Sequence, residues 1–200
     1  FFAENHLAAW QHMPDVTLIA VCDLDSAKAQ SAAERYGAKL VFASARDMLD
    51  SGEVAFVDIA TTMRSHVELV ELAAARRIPV IVQKPLAPTH AECLAIIETC
   101  KAAGVPLMVH ENTRFLKPVR RAQEIIASNA LGKINWGRVA FRTGHNIYGK
   151  QPYLAHEDHF VILDLGVHML DVARYLFGDA TRLYCQSQSV KPGIRGEDLA

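Results

Sequence analysis

The stretch Val16-Thr-Leu-Ile-Ala-Val-Cys-Asp23 decides the fold of this chain. It is a continuous apolar run that ends in an acid, a pattern typical of a strand buried on both faces of a parallel sheet. Similar runs follow at helix-length intervals, at residues 55–59, 79–82 and 107–110, with a weaker one at 39–42. We therefore expect a parallel sheet whose strands alternate with helices.

Helical patterns fill the intervals between these strands, at residues 26–36, 66–76 and 89–103. The last two open with S-x-x-E (Ser65, Glu68) and T-x-x-E (Thr89, Glu92), which predict capping boxes at the helix starts. Alternating strands and helices indicate a doubly wound α/β fold of the Rossmann type.

The regular alternation of strand and helix patterns ends in the second half of the chain. A helix is expected at 119–128, an extended stretch at 134–142, a helix at 160–177 that Gly178 stops, and a strand at 181–190. We predict a first domain over residues 1–115. Residues 116–200 are expected to be the start of a second, open-sheet α/β domain that is truncated at residue 200, because these elements alone cannot close a domain.

Composition excludes several classes of protein. The chain has 200 residues, half of them hydrophobic and 8% aromatic, which is typical of a globular protein. Its 21 basic and 22 acidic residues nearly cancel, so no nucleic-acid partner is expected. No apolar run reaches the roughly 18 residues of a membrane span, and the first residues lack the basic start and apolar core of a signal peptide, so neither a membrane nor a secreted protein is expected. The four cysteines lack a C-x-x-C pair, which favours reduced thiols in a cytoplasm.

Asp23 is the first candidate binding residue. A dinucleotide-binding fold places G-x-G-x-x-G/A after its first strand and an acid about 20 residues further on. Those glycines are absent here, but Asp23 follows Ala3 at about that distance and residues 4–12 are typical of the first crossover helix. We expect Phe1, Phe2 and Ala3 to be the last fingerprint positions of a chain that begins inside it. Alternatively, Asp23 only ends a strand as a turn residue.

Further candidates follow the third and fourth strands. Thr61, Thr62 and His66 stand after the strand at 55–59, and Lys84 follows the strand at 79–82 within the tripeptide Gln83-Lys84-Pro85. Open α/β sheets bind ligands at the carboxyl ends of their strands. The alternative for Lys84 is a solvated surface charge.

A third group lies on the predicted helix at 160–177. Asp164, His168 and Asp171 are spaced i, i+4 and i+7, which places them on one helix face. A histidine beside a carboxylate in a cleft is an oriented general base, or alternatively a partly buried polar contact. With His156 and His159 the same residue types could bind zinc, but H-E-x-x-H is absent and we expect no metal.

Five segments carry a resemblance to a known family. In order, VCDLD, VDIATTMRSH, QKPLAPT, HENTRF and DLGVHMLD resemble the Gfo/Idh/MocA oxidoreductases, and the resemblance covers essentially all 200 residues. It implies an N-terminal Rossmann domain and a C-terminal domain whose open sheet mediates homo-oligomerisation. It further implies a catalytic set of Lys84, Asp164 and His168, with Asp23 on the adenosine ribose. The full cofactor-binding set is then Phe2, Ala3, Asp23, Thr61, Thr62, His66, Gln83, Lys84 and Arg114.

The chain departs from the family pattern at Gln83, where Glu-Lys-Pro is usual. The substitution removes a negative charge next to Lys84 and leaves an amide that we expect to contact the nicotinamide ribose. A polar loop carries three substrate candidates, Tyr148, Tyr153 and His156, or is simply solvated. The remaining histidines His6, His12, His90 and His110 are expected at the surface or in supporting positions.

These residues predict an oxidoreductase that transfers a hydride between a sugar or polyol and NAD. NADP is disfavoured because its 2′-phosphate would face the Asp23 carboxylate. Two alternatives stay open: a non-catalytic nucleotide- or sugar-sensing regulator on the same scaffold, and a glycoside hydrolase that uses NAD transiently.

Overall fold

The computed structural model describes residues 2–149 and 151–200. The chain divides after His110 into two compact units, a first unit up to His110 and a second unit of residues 111–200. The boundary predicted after residue 115 lies close to this division and stays a prediction.

The first unit alternates helices and parallel strands. Its elements in chain order are α1 (Phe2–Gln11), β1 (Ala20–Cys22), α2 (Ser26–Tyr36), β2 (Leu40–Phe42), α3 (Ala45–Asp50), β3 (Val57–Ile59), α4 (His66–Ala75), β4 (Val80–Gln83), α5 (His90–Ala103) and β5 (Leu107–His110). All pairings between these strands are parallel. They form two sheets, β1-β2 and β3-β4-β5, where the sequence predicts one continuous sheet. The expected α/β class with parallel strands is confirmed.

The core of the first unit lies between the three-stranded sheet and two helices. Strand β4 is central, with Val80 paired to Val57 of β3 and to Leu107 of β5. Val80 and Val82 are almost fully buried, as are Ile96 of α5 and Val70 of α4. Burial of these β-branched side chains from water stabilises the sheet and aligns the carboxyl ends of β3, β4 and β5.

Helix starts in the first unit follow the predicted caps in one of two cases. Thr89 and Glu92 form the predicted capping box, each side chain accepting from the other's backbone N–H. The capping box predicted at Ser65 is wrong. Ser65 ends a 3₁₀ turn in helical conformation, and its hydroxyl donates to the Thr62 carbonyl at 2.9 Å instead.

The second unit contains helices α6 (Lys117–Ala127) and α7 (Val167–Phe177). The strand predicted at 181–190 is wrong for the described residues, and the extended stretch expected at 134–142 forms no strand there. A strand needs a hydrogen-bonded neighbour, and these segments have only an isolated antiparallel bridge between Gln188 and Leu199. The helix predicted over 160–177 begins instead with a π-helical turn, Val161–Gly166, before α7.

All four cysteines lie in the described part of the chain and are free thiols. Burial raises the pKa of Cys22, Cys93 and Cys100, whereas Cys185 is exposed. Among the described residues, no helix combines the length and the apolar character that crossing a bilayer requires.

Candidate active site

Asp23 lies directly after β1, exposed at the carboxyl end of the strand. Its backbone N–H donates to the Phe42 carbonyl at 3.3 Å, which ties it to the end of β2. One carboxylate oxygen accepts the N–H of Asp25 at 2.9 Å. Asp25 in turn caps α2, and the N–H that Lys28 donates to it lowers the pKa of Asp25. Asp23 is therefore an oriented, solvent-accessible acceptor.

The loop after β3 carries Thr61 and Thr62, both exposed. The Ser65 hydroxyl donates to the Thr62 carbonyl, so the Thr61 hydroxyl 2.8 Å from it is the donor of that pair. This bond sets the loop's conformation at the carboxyl end of β3. Phe2 and Ala3, also expected to contact a cofactor, are the first two residues of α1, and Phe1 lies outside the described residues.

His66 is completely buried beneath this loop. Its Nδ1 donates to the Leu86 carbonyl at 3.0 Å, and its Nε2 lies 3.4 Å from the Thr61 carbonyl. Burial lowers the pKa of His66 and keeps the ring neutral, against the opposing effect of the backbone carbonyls. The side chain thus ties the loop after β3 to the loop after β4. The expectation that His66 itself contacts a cofactor stays a prediction.

Lys84 follows β4 and is partly exposed. Its backbone N–H donates to Oε1 of Gln83 at 2.7 Å, while Nε2 of Gln83 lies 3.1 Å from Nε2 of His6. Both ends of the Gln83 amide are thus engaged, and the side chain is only 7% exposed. The expected contact of this amide with a ribose stays a prediction. His6, expected at the surface or in a supporting position, is buried and bonded to the Asp58 carboxylate.

His168 and Glu111 form the central pair of the second unit. Nδ1 of His168 lies 2.8 and 2.7 Å from the two oxygens of Glu111, and 3.0 Å from the Thr113 hydroxyl. Because a carboxylate only accepts, Nδ1 carries the ring hydrogen and Nε2 of the neutral ring is left as an acceptor. Glu111 also accepts the N–H of Thr113 at 2.9 Å, which fixes the carboxylate. This is the arrangement of an oriented general base.

Asp171, one turn further along α7, binds Arg114 through both carboxylate oxygens. The Nε bond measures 2.8 Å, and the Asp171 carboxylate raises the pKa of Arg114. The Arg114 guanidinium also lies over the Tyr175 ring, 5.4 Å from its centroid. His168 and Asp171 thus both face the segment that begins at Glu111, as their predicted common helix face requires. Arg114 is structurally engaged within its own unit, and its predicted cofactor contact stays a prediction.

Asp164 lies on the π-helical turn before α7. Gly166 permits this turn, because a Cβ there would come within 3.3 Å of the Val161 carbonyl oxygen. The buried Glu197 holds the start of the turn, accepting the Ile162 N–H at 2.9 Å on its side chain. Turns of this kind occur frequently at functional sites. Asp164 therefore sits on a backbone segment whose shape is set by specific neighbours.

The three substrate candidates differ in their surroundings. Tyr153 is half-exposed and donates to Gln151, and burial together with the charge of Asp164 raises the pKa of Tyr153. Tyr148 packs against Phe160, with Nζ of Lys191 4.5 Å from its ring centroid. His156 is exposed at the end of a 3₁₀ turn. The charge of Asp164 thus acts on Tyr153, whereas the ring of Tyr148 packs against Phe160.

Among residues 2–149 and 151–200, no three His, Cys, Asp or Glu side chains come together as a metal site. In the second unit, Glu111 is instead paired with His168, and Asp171 with Arg114.

Comparison with known proteins identifies the family. Residues 1–111 match the model of the Gfo/Idh/MocA oxidoreductase family, NAD-binding Rossmann fold, and residues 119–200 match that of the Gfo/Idh/MocA C-terminal domain. The chain belongs to the Gfo/Idh/MocA family. It is 44% identical over its whole length to D-apiose dehydrogenase of Paraburkholderia graminis and 40% identical to that of Rhizobium rhizogenes. It spans 53% and 58%, respectively, of the length of these Gfo/Idh/MocA relatives.

A solved structure supports the same assignment. An oxidoreductase from Agrobacterium radiobacter, crystallised in complex with NAD⁺, L-tartaric acid and magnesium, superposes with a TM-score of 0.95 at 40% identity. The match covers 98% of this chain and 58% of that one. The expected membership of the Gfo/Idh/MocA family and the Rossmann fold are thereby confirmed.

The sequence reasoning missed Glu111 and Glu197 as site residues. Glu111 follows β5 directly, at the same position relative to its strand as Asp23 after β1, so an acid at a strand's carboxyl end was the available signal. Glu197 gives no such signal, because its role depends on the π-helical turn that it caps from 35 residues away.

Proposed function

We propose that this chain belongs to an NAD-dependent dehydrogenase that oxidises a hydroxyl group of a sugar or polyol. The observation that carries the proposal is the pair His168–Glu111, in which the carboxylate binds Nδ1 and leaves Nε2 able to accept a proton. Both side chains are largely shielded from water, 17% and 15% exposed, so the imidazole keeps one orientation. Alcohol oxidation requires such a base for the hydroxyl proton.

The proposed roles of the chain's own residues follow from their chemistry. Nε2 of His168 accepts the hydroxyl proton, and Glu111 stabilises the imidazolium that forms, acting as a positioning residue. The Lys84 ammonium stabilises the negative charge that develops on the substrate oxygen. Asp164 binds a neighbouring substrate hydroxyl, with Tyr153 as a further contact, because the charge of Asp164 acts together with burial to raise the pKa of Tyr153.

The first unit fits NAD by the chemistry of its exposed groups. Asp23 offers a free carboxylate oxygen to the ribose hydroxyls, and Thr61 and Thr62 expose hydroxyl-bearing side chains at the end of β3. The first residues of α1, Phe2 and Ala3, would present helix N-terminal N–H groups to a pyrophosphate. When bound, NAD supplies the acceptor for the hydride. Asp23 favours NAD over NADP, because a 2′-phosphate would repel its carboxylate.

The test is a spectrophotometric assay of NADH formation with the purified full-length protein. D-apiose is the first substrate to assay, because two relatives that match the whole chain are D-apiose dehydrogenases. A panel of other aldoses and inositols completes the assay. NADH formation with a sugar supports the proposal. Binding of NAD without turnover of any sugar would favour the sensing regulator, and glycoside cleavage without net NADH would favour the hydrolase.

A double-mutant cycle tests the shared role of Lys84 and His168. If both act on the same proton and charge transfer, Lys84→Ala, His168→Ala and the double variant should lose kcat non-additively, with a smaller change in NAD affinity. Near wild-type turnover in either single variant would contradict the assignment.

We also propose a cytoplasmic location and a homo-oligomeric state. The four free thiols favour a reducing compartment. Light scattering on the purified protein measures the oligomeric mass directly, and a monomeric mass would contradict the second of these proposals.

A further inference from the structure

A buried polar cluster in the first unit has no part in the chemistry above. His6 and Trp10 of α1 both contact the Asp58 carboxylate of β3, at 2.9 Å from Nδ1 and 2.6 Å from Nε1. On its other side, Nε2 of His6 lies 3.1 Å from Nε2 of Gln83 at the end of β4. His6 and Gln83 are 6% and 7% exposed. Nearly all buried polar groups in native proteins have a hydrogen-bond partner, as these do.

The directions of these bonds follow from the donor and acceptor inventory. Asp58 accepts only, so His6 donates from Nδ1 and Trp10 donates from its indole N–H. Nε2 of a neutral His6 is then an acceptor, and the Gln83 amide nitrogen donates to it. The Gln83 oxygen consequently points the other way and accepts the Lys84 N–H at 2.7 Å. The bonds are mutually consistent in one arrangement, with His6 neutral and protonated on Nδ1.

We propose that His6 and Asp58 are positioning residues that hold the Lys84 backbone through Gln83. The proposal rests on the role assigned to Lys84 above. Lys84 is the residue at which the chain leaves β4, and its amide is held by the side chain of its own neighbour. The Gln83 side chain keeps one orientation because its amide nitrogen donates to Nε2 of His6. Nε2 can accept this bond only while it carries no hydrogen. A Glu at position 83 would replace the donor with a second acceptor, and His6 would then have to carry a second proton.

Two variants of His6 separate positioning from simple loss of packing. His6→Leu removes both bonds, and a misplaced Lys84 should lower kcat about tenfold while NAD affinity changes little. His6→Gln keeps one amide donor for Asp58 and one acceptor for Gln83, so it should restore most of the kcat. His12→Gln is the matched control, because His12 is exposed and its ring bonds the Ala8 carbonyl four residues earlier.

Gln83→Glu supplies an independent readout. The titratable groups that face His6 are Asp58 and, from β5, His110, whose ring centroid is 4.1 Å away. Nitrogen-15 NMR should show wild-type His6 as the neutral Nδ1–H tautomer and the variant's His6 as the doubly protonated cation. The backbone amide signal of Lys84 should shift in Gln83→Glu and in His6→Leu, but not in His12→Gln.

The outcomes distinguish the two proposals. A wild-type His6 protonated on Nε2, or an unchanged Lys84 amide signal in His6→Leu, would overturn the positioning network even in an active enzyme. Equal loss of kcat in His6→Leu and His6→Gln would also overturn it. Absence of turnover in the wild type would refute the proposed function, while the NMR measurements would still decide whether the network exists.

Discussion

Replacing Glu111 with Gln perturbs the proposed base while preserving the volume of the side chain. In the wild type, both carboxylate oxygens lie within 2.8 Å of Nδ1 of His168. The variant loses the negative charge that stabilises the imidazolium formed when His168 takes the substrate proton. Its amide nitrogen can also face Nδ1, which favours the tautomer with a hydrogen on Nε2 and removes the acceptor.

The size of the effect follows from the shielding of this pair. The side chains of His168 and Glu111 are only 17% and 15% exposed, so water competes little with the hydrogen bond between them. A hydrogen bond to a charged group contributes about 1.5–3 kcal/mol. At about 1.4 kcal/mol for each factor of ten in rate, kcat for sugar oxidation should fall about 10- to 100-fold.

Steady-state kinetics with saturating NAD measure this loss, and a titration of NAD binding should show little change. The solvent deuterium isotope effect on kcat should increase, because proton removal becomes more rate-limiting; a purely structural defect would not produce this. Glu124→Gln is the matched control, since Glu124 pairs with Arg121 at the surface. Wild-type kcat in Glu111→Gln, or an equal loss in the control, would refute the role given to Glu111.

Three further predictions concern cofactor choice and stability. Asp23→Ser should raise the ratio of kcat/KM with NADP to that with NAD about tenfold, the magnitude of one charged interaction; an unchanged ratio would remove Asp23 from the ribose site. Burial lowers the pKa of His66 in the folded protein below its usual value of 6.5. As the pH falls, the unfolded chain therefore binds a proton at this histidine before the folded protein does, and thermal stability should decrease below pH 6.5. His66→Gln should flatten this pH dependence, and an unaltered slope would assign it to other groups. Thr89→Ala should lower the free energy of unfolding in urea by about 1 kcal/mol, whereas Ser65→Ala, which removes no cap, should cost clearly less. Equal losses would contradict this reading of the two helix starts.

Local sequence patterns were sufficient to predict much of the secondary structure of the first unit. The bounds of α2 and β5 agree with the sequence prediction, because capping residues and buried apolar runs mark these elements directly. Strand β1 is shorter than its apolar run, since ladder pairing with β2 extends only over Ala20–Cys22. An apolar run reports burial, and its hydrogen-bonded length depends on the neighbouring strand.

The errors have a common physical origin in contacts between residues distant in sequence. The strand predicted at 181–190 has the right side chains but lacks a ladder partner among the described residues. His6 is a lone histidine on a short helix, and its partner Asp58 is 52 residues away. His168 was assigned correctly as a candidate, but the carboxylate on its Nδ1 comes from Glu111, 57 residues earlier. Periodicity carries no information on such pairings.

The bond between Trp10 and Asp58 also gives the protein an optical signature. Trp10 is partly buried, with its ring centroid 5.3 Å from that of Phe56, whereas the second tryptophan, Trp136, is 78% exposed. Emission from Trp136 therefore already comes from a water-like environment, while Trp10 moves into water only when α1 leaves the sheet. A Trp136→Phe protein would thus carry a single tryptophan, and the red shift of its emission would follow the unfolding of the first unit alone.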